Sequence, residues 1–125
     1  VPQVKARLSR VRAPLLYVAN IMTEAGETDG MDVYAHASAL YDHVGRWPDV
    51  ILVNDRPVDE PRLASYRDEA ADVVAVDFAA LDRVGVRVIA ADLLADGRYA
   101  QHDSARLAEV VLRVATAVRD GEVLA

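Results

Sequence analysis

Asn20, Thr23, Glu24, Gly26, Glu27, Thr28, Asp29 and Gly30 gather hydroxyls, carboxylates, an amide and two glycines into one short stretch. Thr23, Thr28 and the backbone amides around Gly26 suit a diphosphate, because small residues let the main chain approach and hydroxyls donate without adding charge. Glu27 and Asp29 are unsuited to phosphate oxygens. They fit sugar hydroxyls, a cation bridging phosphates, or hydrogen bonds within the loop. The plainer alternative is a polar turn that only leads into the next helix. What favours a site is position: Leu15–Ala19, after Pro14, reads as a short buried strand, and this stretch leaves its carboxyl end. In open α/β sheets ligands bind at that edge.

Two further places carry candidate chemistry. Tyr66 stands at helical spacing with Leu63 and Ala70, which a half-buried aromatic packing on the sheet also explains. Gln101-His102-Asp103-Ser104 precedes the last helix, whose amino end favours an anion, although Asp103 and Ser104 capping that helix is the simpler local role. No metal site is expected. His36 and His43 are two helical turns apart, roughly 10 Å by helix rise, too far to share one ion. Asp32 and His36, at i and i+4, read as a surface pair. No catalytic residue stands out either, since the serines lack a Gly-x-Ser-x-Gly elbow and the carboxylates are too numerous to single out an acid and a base.

The elements that must position these groups follow from periodicity and caps. Val4, Leu8 and Val11 predict an amphipathic opening helix stopped by Pro14. Asp32 caps a second helix that carries Val33, Ala37, Leu40, Tyr41 and Val44 on one side and ends at Gly45. Val50–Val53 is a second strand that ends in Asn54-Asp55-Arg56-Pro57, again polar at the carboxyl end. Asp59 caps a third helix with Pro61 in its first turn and with Leu63, Tyr66, Arg67 and Ala70 on one side. Val73–Val76 reads as a third strand, Asp77 to Gly85 as a short helix, and Val86 with Val88–Ala90 as a fourth strand. Asp96-Gly97 marks a turn, and Asp103 starts a final helix striped by Leu107, Val110, Val111, Val114 and Val118. Strands alternating with helices predict an α/β fold: three layers, with a mainly parallel, Rossmann-like sheet and helices on both faces. Residues 1–125 read as a single domain.

A chain of 125 residues that is 53% hydrophobic can bury a real core. Its net charge of −6 argues against nucleic acid or an anionic membrane as partner. The charge is uneven, because Lys5, Arg7, Arg10 and Arg12 stand in the opening segment with no acid; a solvated helix face or a phosphate-facing segment both account for them. The absence of cysteine fits a reducing cytoplasm. No apolar run approaches the roughly 18 residues of a membrane span. The start, Val-Pro-Gln-Val-Lys, has no initiator Met and reads as cut from a longer chain.

The run Asn20-Ile-Met-Thr-Glu-Ala-Gly-Glu-Thr-Asp-Gly30 resembles the Asn-x-Met-Thr-x-x-Gly-Glu-Thr-Asp-Gly signature of the YvcK family, the gluconeogenesis factors of the CofD-like superfamily. The likeness continues through Asp49-Val-Ile-Leu-Val-Asn54, Tyr66 with Glu69-Ala70, and Gln101-His102-Asp103-Ser104. It covers essentially the whole chain but only the carboxyl-terminal part of the family's length. The family's Gly-Gly-Thr-Gly nucleotide motif is absent, so the missing amino-terminal Gly-rich half is an implied partner. The resemblance implies a cytoplasmic, bacterial, non-catalytic factor that binds UDP-sugars such as UDP-N-acetylglucosamine and acts in carbon-source use and in cell-wall and cell-shape control. It implies ligand contacts from Asn20, Thr23, Gly26, Glu27, Thr28, Asp29, Tyr66 and Gln101, with the Tyr66 ring stacking on the base. Gln101 stands where the family usually has Arg, and can hydrogen-bond without supplying charge. Ser104 matches a hydroxyl position that suggests regulatory phosphorylation. A UDP-sugar is the ligand implied, with no cofactor certain beside it. Two alternatives stay open: a CofD-like 2-phospho-L-lactate transferase acting on a deazaflavin, and a structural fragment that completes a larger fold and a homodimer.

Overall fold

The computed structural model describes residues 14–23 and 31–119. The expected opening helix around Val4, Leu8 and Val11, and most of its basic residues' segment, lie outside these.

Three parallel strands form the sheet of the described residues, in the order β1 (Leu16–Val18), β2 (Val50–Asn54), β3 (Arg87–Ala91). Tyr17 pairs with Ile51 and Ile51 with Val88, so the side-chain faces stay in register across all three strands. Val50, Ile51, Leu52 and Val53 are all buried, as an uninterrupted apolar run requires when helices cover both sides of a central strand. Asp49 sets the entry: its carboxylate accepts from the Leu15 N–H at 2.7 Å and pairs with Arg46.

Between β1 and β2 runs α1 (Val33–Val44). Asp32 caps it by accepting from the Ala35 N–H at 2.8 Å, and Gly45, at φ 87°, ends it in the left-handed region that glycine adopts without a Cβ clash. Val33 and Ala37 are buried toward Tyr17, Ile51 and Val53. Tyr41 instead is exposed and stacks on Trp47 with ring centroids 5.1 Å apart. The same sheet face receives Leu81 from α3 (Phe78–Arg83), a helix capped by Asp77 through the Ala80 N–H. The opposite face, with Val50, Leu52 and Ile89, packs against Leu107, Val110, Val111 and Val114 of α4 (Ser104–Arg119). The architecture is therefore three-layered α/β, as the alternation of elements predicts.

Two expectations fail. Val73–Val76 is not a strand: Val73 makes one isolated antiparallel bridge to Met22, and the segment's backbone bonds go to the β1 exit and to α1. Val74 N–H donates to Ile21 O at 2.9 Å and Val33 N–H donates to Ala75 O at 2.8 Å. A valine-rich run has strand propensity, but here tertiary contacts use it as a brace across the sheet's carboxyl edge. Ala70 is not helical either. The third expected helix, α2 (Glu60–Asp68), stops short, and Ala70 sits at φ 57° while the Ala71 N–H reaches back to Tyr66 O. Asp59 and Pro61 start α2 as expected.

Candidate ligand-binding site

The segment leaving β1 is anchored before it can serve any ligand. Ala19 N–H donates to Leu52 O, continuing the β1–β2 ladder by one bond. Thr23 is then locked to Asp72 twice: its N–H donates to Asp72 O at 2.7 Å, and its hydroxyl oxygen accepts from the Asp72 N–H at 2.9 Å. Thr23 is buried, so its hydroxyl is a fixed feature of the wall. Asn20 is exposed at the rim.

Opposite this segment stands Tyr66, carried by α2. Its ring packs half-buried against a small apolar cluster of Ile21, Met22, Val58, Leu94 and Ala100. The phenolic oxygen accepts from the Ala100 N–H at 3.0 Å, which ties α2 to the turn ahead of α4. That turn spans the bend Asp96–Tyr99 and closes through an antiparallel bridge between Leu94 and His102. Arg62 holds it from below, with its guanidinium on Asp59 and donating to the carbonyls of Ala95 at 2.8 Å and Tyr99 at 3.2 Å. The Arg62 N–H, and after it the Arg62 side chain, hold Asp59's carboxyl below the usual range.

Between the β1 exit and Tyr66 lies a hollow of about 270 Å³ whose wall includes Asn20, Thr23, Tyr66, Gln101 and His102. The structure thus brings together four of the residues singled out in the sequence. Gly26, Glu27, Thr28 and Asp29 lie outside the described residues. A second cavity of about 360 Å³ adjoins the first, sharing Asn20 and Ile21 and reaching across the end of β2 to Asn54, Asp55 and Arg56 over a floor of Val33 and Val53. Both open at the carboxyl edge of the sheet.

Asn54 shapes that second cavity. Its side-chain oxygen accepts from the N–H of Arg56 at 3.2 Å and of Leu93 at 3.0 Å, while its amide nitrogen donates to Arg56 O at 2.7 Å. One side chain therefore fixes the turn after β2 and the exit of β3 together. The sequence reading noted polar groups here but named none as a site. His102, within the Gln101–Ser104 stretch but given no role of its own from sequence, has its Nε2 buried without a hydrogen-bond partner among the described residues. Buried polar atoms are nearly always partnered, so an orphan in a cavity wall draws attention to what could fill the cavity.

At α4 the cap expectation holds. Asp103 accepts from the Arg106 N–H at 3.1 Å, and Arg106 in turn pairs with Asp92 at 3.0 Å. A carboxylate already occupies this helix end, which disfavours an anion there. Ser104 is exposed as the first residue of α4. His36 does not pair through its ring with Asp32. Its Nδ1 lies 3.3 Å from the Tyr17 hydroxyl, because Asp32 is committed to capping α1.

What the two cavities offer is hydrogen-bonding capacity in a mostly uncharged wall, with one guanidinium and one carboxylate, Arg56 and Asp55, at one end. That suits recognition of a polar small molecule.

Comparison with known proteins places this edge in a lineage. The CofD family profile, described as 2-phospho-L-lactate transferase CofD, matches residues 1–94. The gluconeogenesis factor of Halalkalibacterium halodurans is 32% identical over 114 residues, covering 90% of this chain and 35% of that protein. A Deinococcus radiodurans protein that bears the same name provisionally is 35% identical over 114 residues, covering 91% of this chain and 24% of that one. A crystal structure of a UPF0052-family protein from Bacillus halodurans superposes with a TM-score of 0.83 at 32% identity, over 90% of this chain and 36% of that one. The chain spans between about a quarter and a little over a third of the length of these relatives. Agreement of sequence and backbone over nine-tenths of the chain shows descent as well as architecture: the chain belongs to the CofD family, in its YvcK gluconeogenesis-factor (UPF0052) branch.

Proposed function

We propose that this chain binds a nucleotide sugar of the UDP-N-acetylglucosamine type, as part of a non-catalytic cytoplasmic factor acting in carbon metabolism and in cell-wall and cell-shape control. The observation that carries the reading is the pair of adjoining cavities at the sheet's carboxyl edge, one of them walled by Asn20, Thr23, Tyr66 and Gln101. Together they have the capacity of an ordinary small-ligand site. An elongated ligand with chemically different ends fits two joined hollows of different polarity. The relatives' name, gluconeogenesis factor, supports the link to carbon metabolism. Among the described residues no helix is long and apolar enough to cross a membrane. Occupancy would alter the surface formed by the β1 exit, Tyr66 and the Gln101 turn, and a partner reading that surface would sense the ligand. Ser104, exposed beside that turn, is where phosphorylation would add charge to the same surface.

The direct test is calorimetry of the intact protein with UDP-N-acetylglucosamine and UDP-glucose, supported by thermal shift. A ligand that binds only the folded form raises the melting temperature by mass action. Neither heat nor shift with the intact protein, or undiminished binding after Tyr66→Ala, would remove the proposal.

A further inference from the structure

We propose that Arg56 is the phosphate-binding cation of this site, so that the ligand lies with its central diphosphate toward the end of β2 and one of its two uncharged ends, uridine or sugar, in the hollow beside Tyr66 and His102. The assignment rests on the nucleotide-sugar reading and adds an orientation to it.

Charge is the starting point. A diphosphate must be neutralised when it enters a partly desolvated cavity, and the chain as a whole is acidic, with a net charge of −6. The stretch Asn20–Gly30 carries Glu24, Glu27 and Asp29 and no Lys or Arg. Among the described residues that line the two cavities, Arg56 is the one Lys or Arg and its neighbour Asp55 the one carboxylate. Its neighbours are committed elsewhere: Arg62 to Asp59 and two carbonyls, Arg98 to the face of the Tyr99 ring. Arg56 is held differently. Asn54 fixes its backbone on both sides, while among the described residues its guanidinium pairs with Asp96 alone, at 3.5 Å, the two side chains being 40% and 87% exposed. Exposed pairs of this kind hold weakly, so the side chain can turn to a phosphate, for which its planar fork is suited to bidentate contact. The other hollow complements it. Its wall presents Tyr66, Thr23, Gln101 and the unpartnered Nε2 of His102, groups that read hydrogen bonds without requiring charge.

The experiment is calorimetry of the intact protein with UDP-N-acetylglucosamine at low and high salt, in magnesium and in EDTA, for wild type, Arg56→Gln and Arg56→Lys. Loss of a charged contact predicts affinity about tenfold or more weaker in Arg56→Gln, with a flatter salt dependence, an intermediate value in Arg56→Lys, and no effect of EDTA on wild type. Equal affinity of Arg56→Gln and wild type overturns the assignment. So does binding that EDTA abolishes and Arg56→Gln spares, which would hand the phosphates to a metal ion. The melting temperature of Arg56→Gln should match wild type, because the Asp96 pair is exposed; a fall of several degrees would make the lost affinity a folding effect and count against the assignment. Wild type that binds no UDP-sugar in either buffer is a separate outcome, and withdraws the ligand reading beneath it.

Discussion

The phenolic oxygen of Tyr66 accepts a hydrogen bond from the backbone N–H of Ala100 at 3.0 Å, across 34 residues of chain. A side chain on α2 thereby sets the position of the turn that presents Gln101 and His102. Tyr66 is a scaffold for the candidate site whether or not its ring also touches a ligand.

Substitution separates those two roles. Tyr66→Phe keeps the ring and orphans the Ala100 N–H, at a cost of about 1–2 kcal/mol in denaturant unfolding. Tyr66→Ala also removes a half-buried ring from its apolar cluster and should cost about 2–3 kcal/mol. If stacking on the ring matters to binding, Tyr66→Phe retains most UDP-sugar affinity by calorimetry and Tyr66→Ala loses it.

Asn54 makes three hydrogen bonds that join the ends of β2 and β3. Asn54→Ala leaves two N–H groups and one carbonyl without their partner, and unfolding should show a loss of about 2 kcal/mol. Asn54→Asp keeps the oxygen that accepts from both N–H groups but sets a second carboxylate oxygen against Arg56 O, so it should be intermediate. Both should lower ligand affinity more than their effect on melting temperature explains, since they release the backbone of Arg56.

Asp59 supplies a pH dependence. Its folded-state carboxyl is held below its ordinary value of 3.8, first by the Arg62 N–H and then by the Arg62 side chain. A depressed acid stabilises the fold above the unfolded pKa and loses that contribution as pH falls through the folded one. Asp59→Asn still caps α2, because asparagine is a good N-cap, but carries no charge. Wild type should therefore exceed Asp59→Asn in stability near neutrality, and the gap should close as denaturation is followed from pH 5 toward about pH 2.

Tyr17 acts at the other end of the scale. Burial pushes its phenol above the ordinary 10.0, because the anion would lose solvation between β1 and α1. A group with a raised folded pKa favours the fold below its unfolded pKa, and that advantage is lost as pH rises through the folded value. Tyr17→Phe should lose the 3.3 Å contact with His36, a cost of about 1 kcal/mol near neutrality. Above pH 10 it should resist alkaline unfolding better than wild type, as followed by circular dichroism.

The caps were readable because they are local. Asp32, Asp59, Asp77 and Asp103 each accept from the N–H three residues on, a geometry that depends only on the chain turning into a helix at that point. The apolar run of β2 was readable for a similar reason, since four consecutive buried residues leave little room except the centre of a covered sheet. Val73–Val76 looked the same by composition and became a brace. Which of two valine runs joins the ladder depends on where Ile21, Thr23 and Val33 stand, and no periodicity within the run encodes that.

The amino-acid sequence alone determined the α/β alternation, the ends of α1 and α3, the start of α2 and α4, and the polar character of the stretch after β1, because each follows from interactions within a few residues. Only the tertiary structure decided that Thr23 is tied to Asp72, that Tyr66 holds Ala100, that Asn54 joins the end of β2 to Leu93, and that two cavities share Asn20 in their walls. Those contacts join residues far apart in the chain, most of them dozens of positions apart, and the packing of helices on the sheet selects their partners from many groups of equal chemistry.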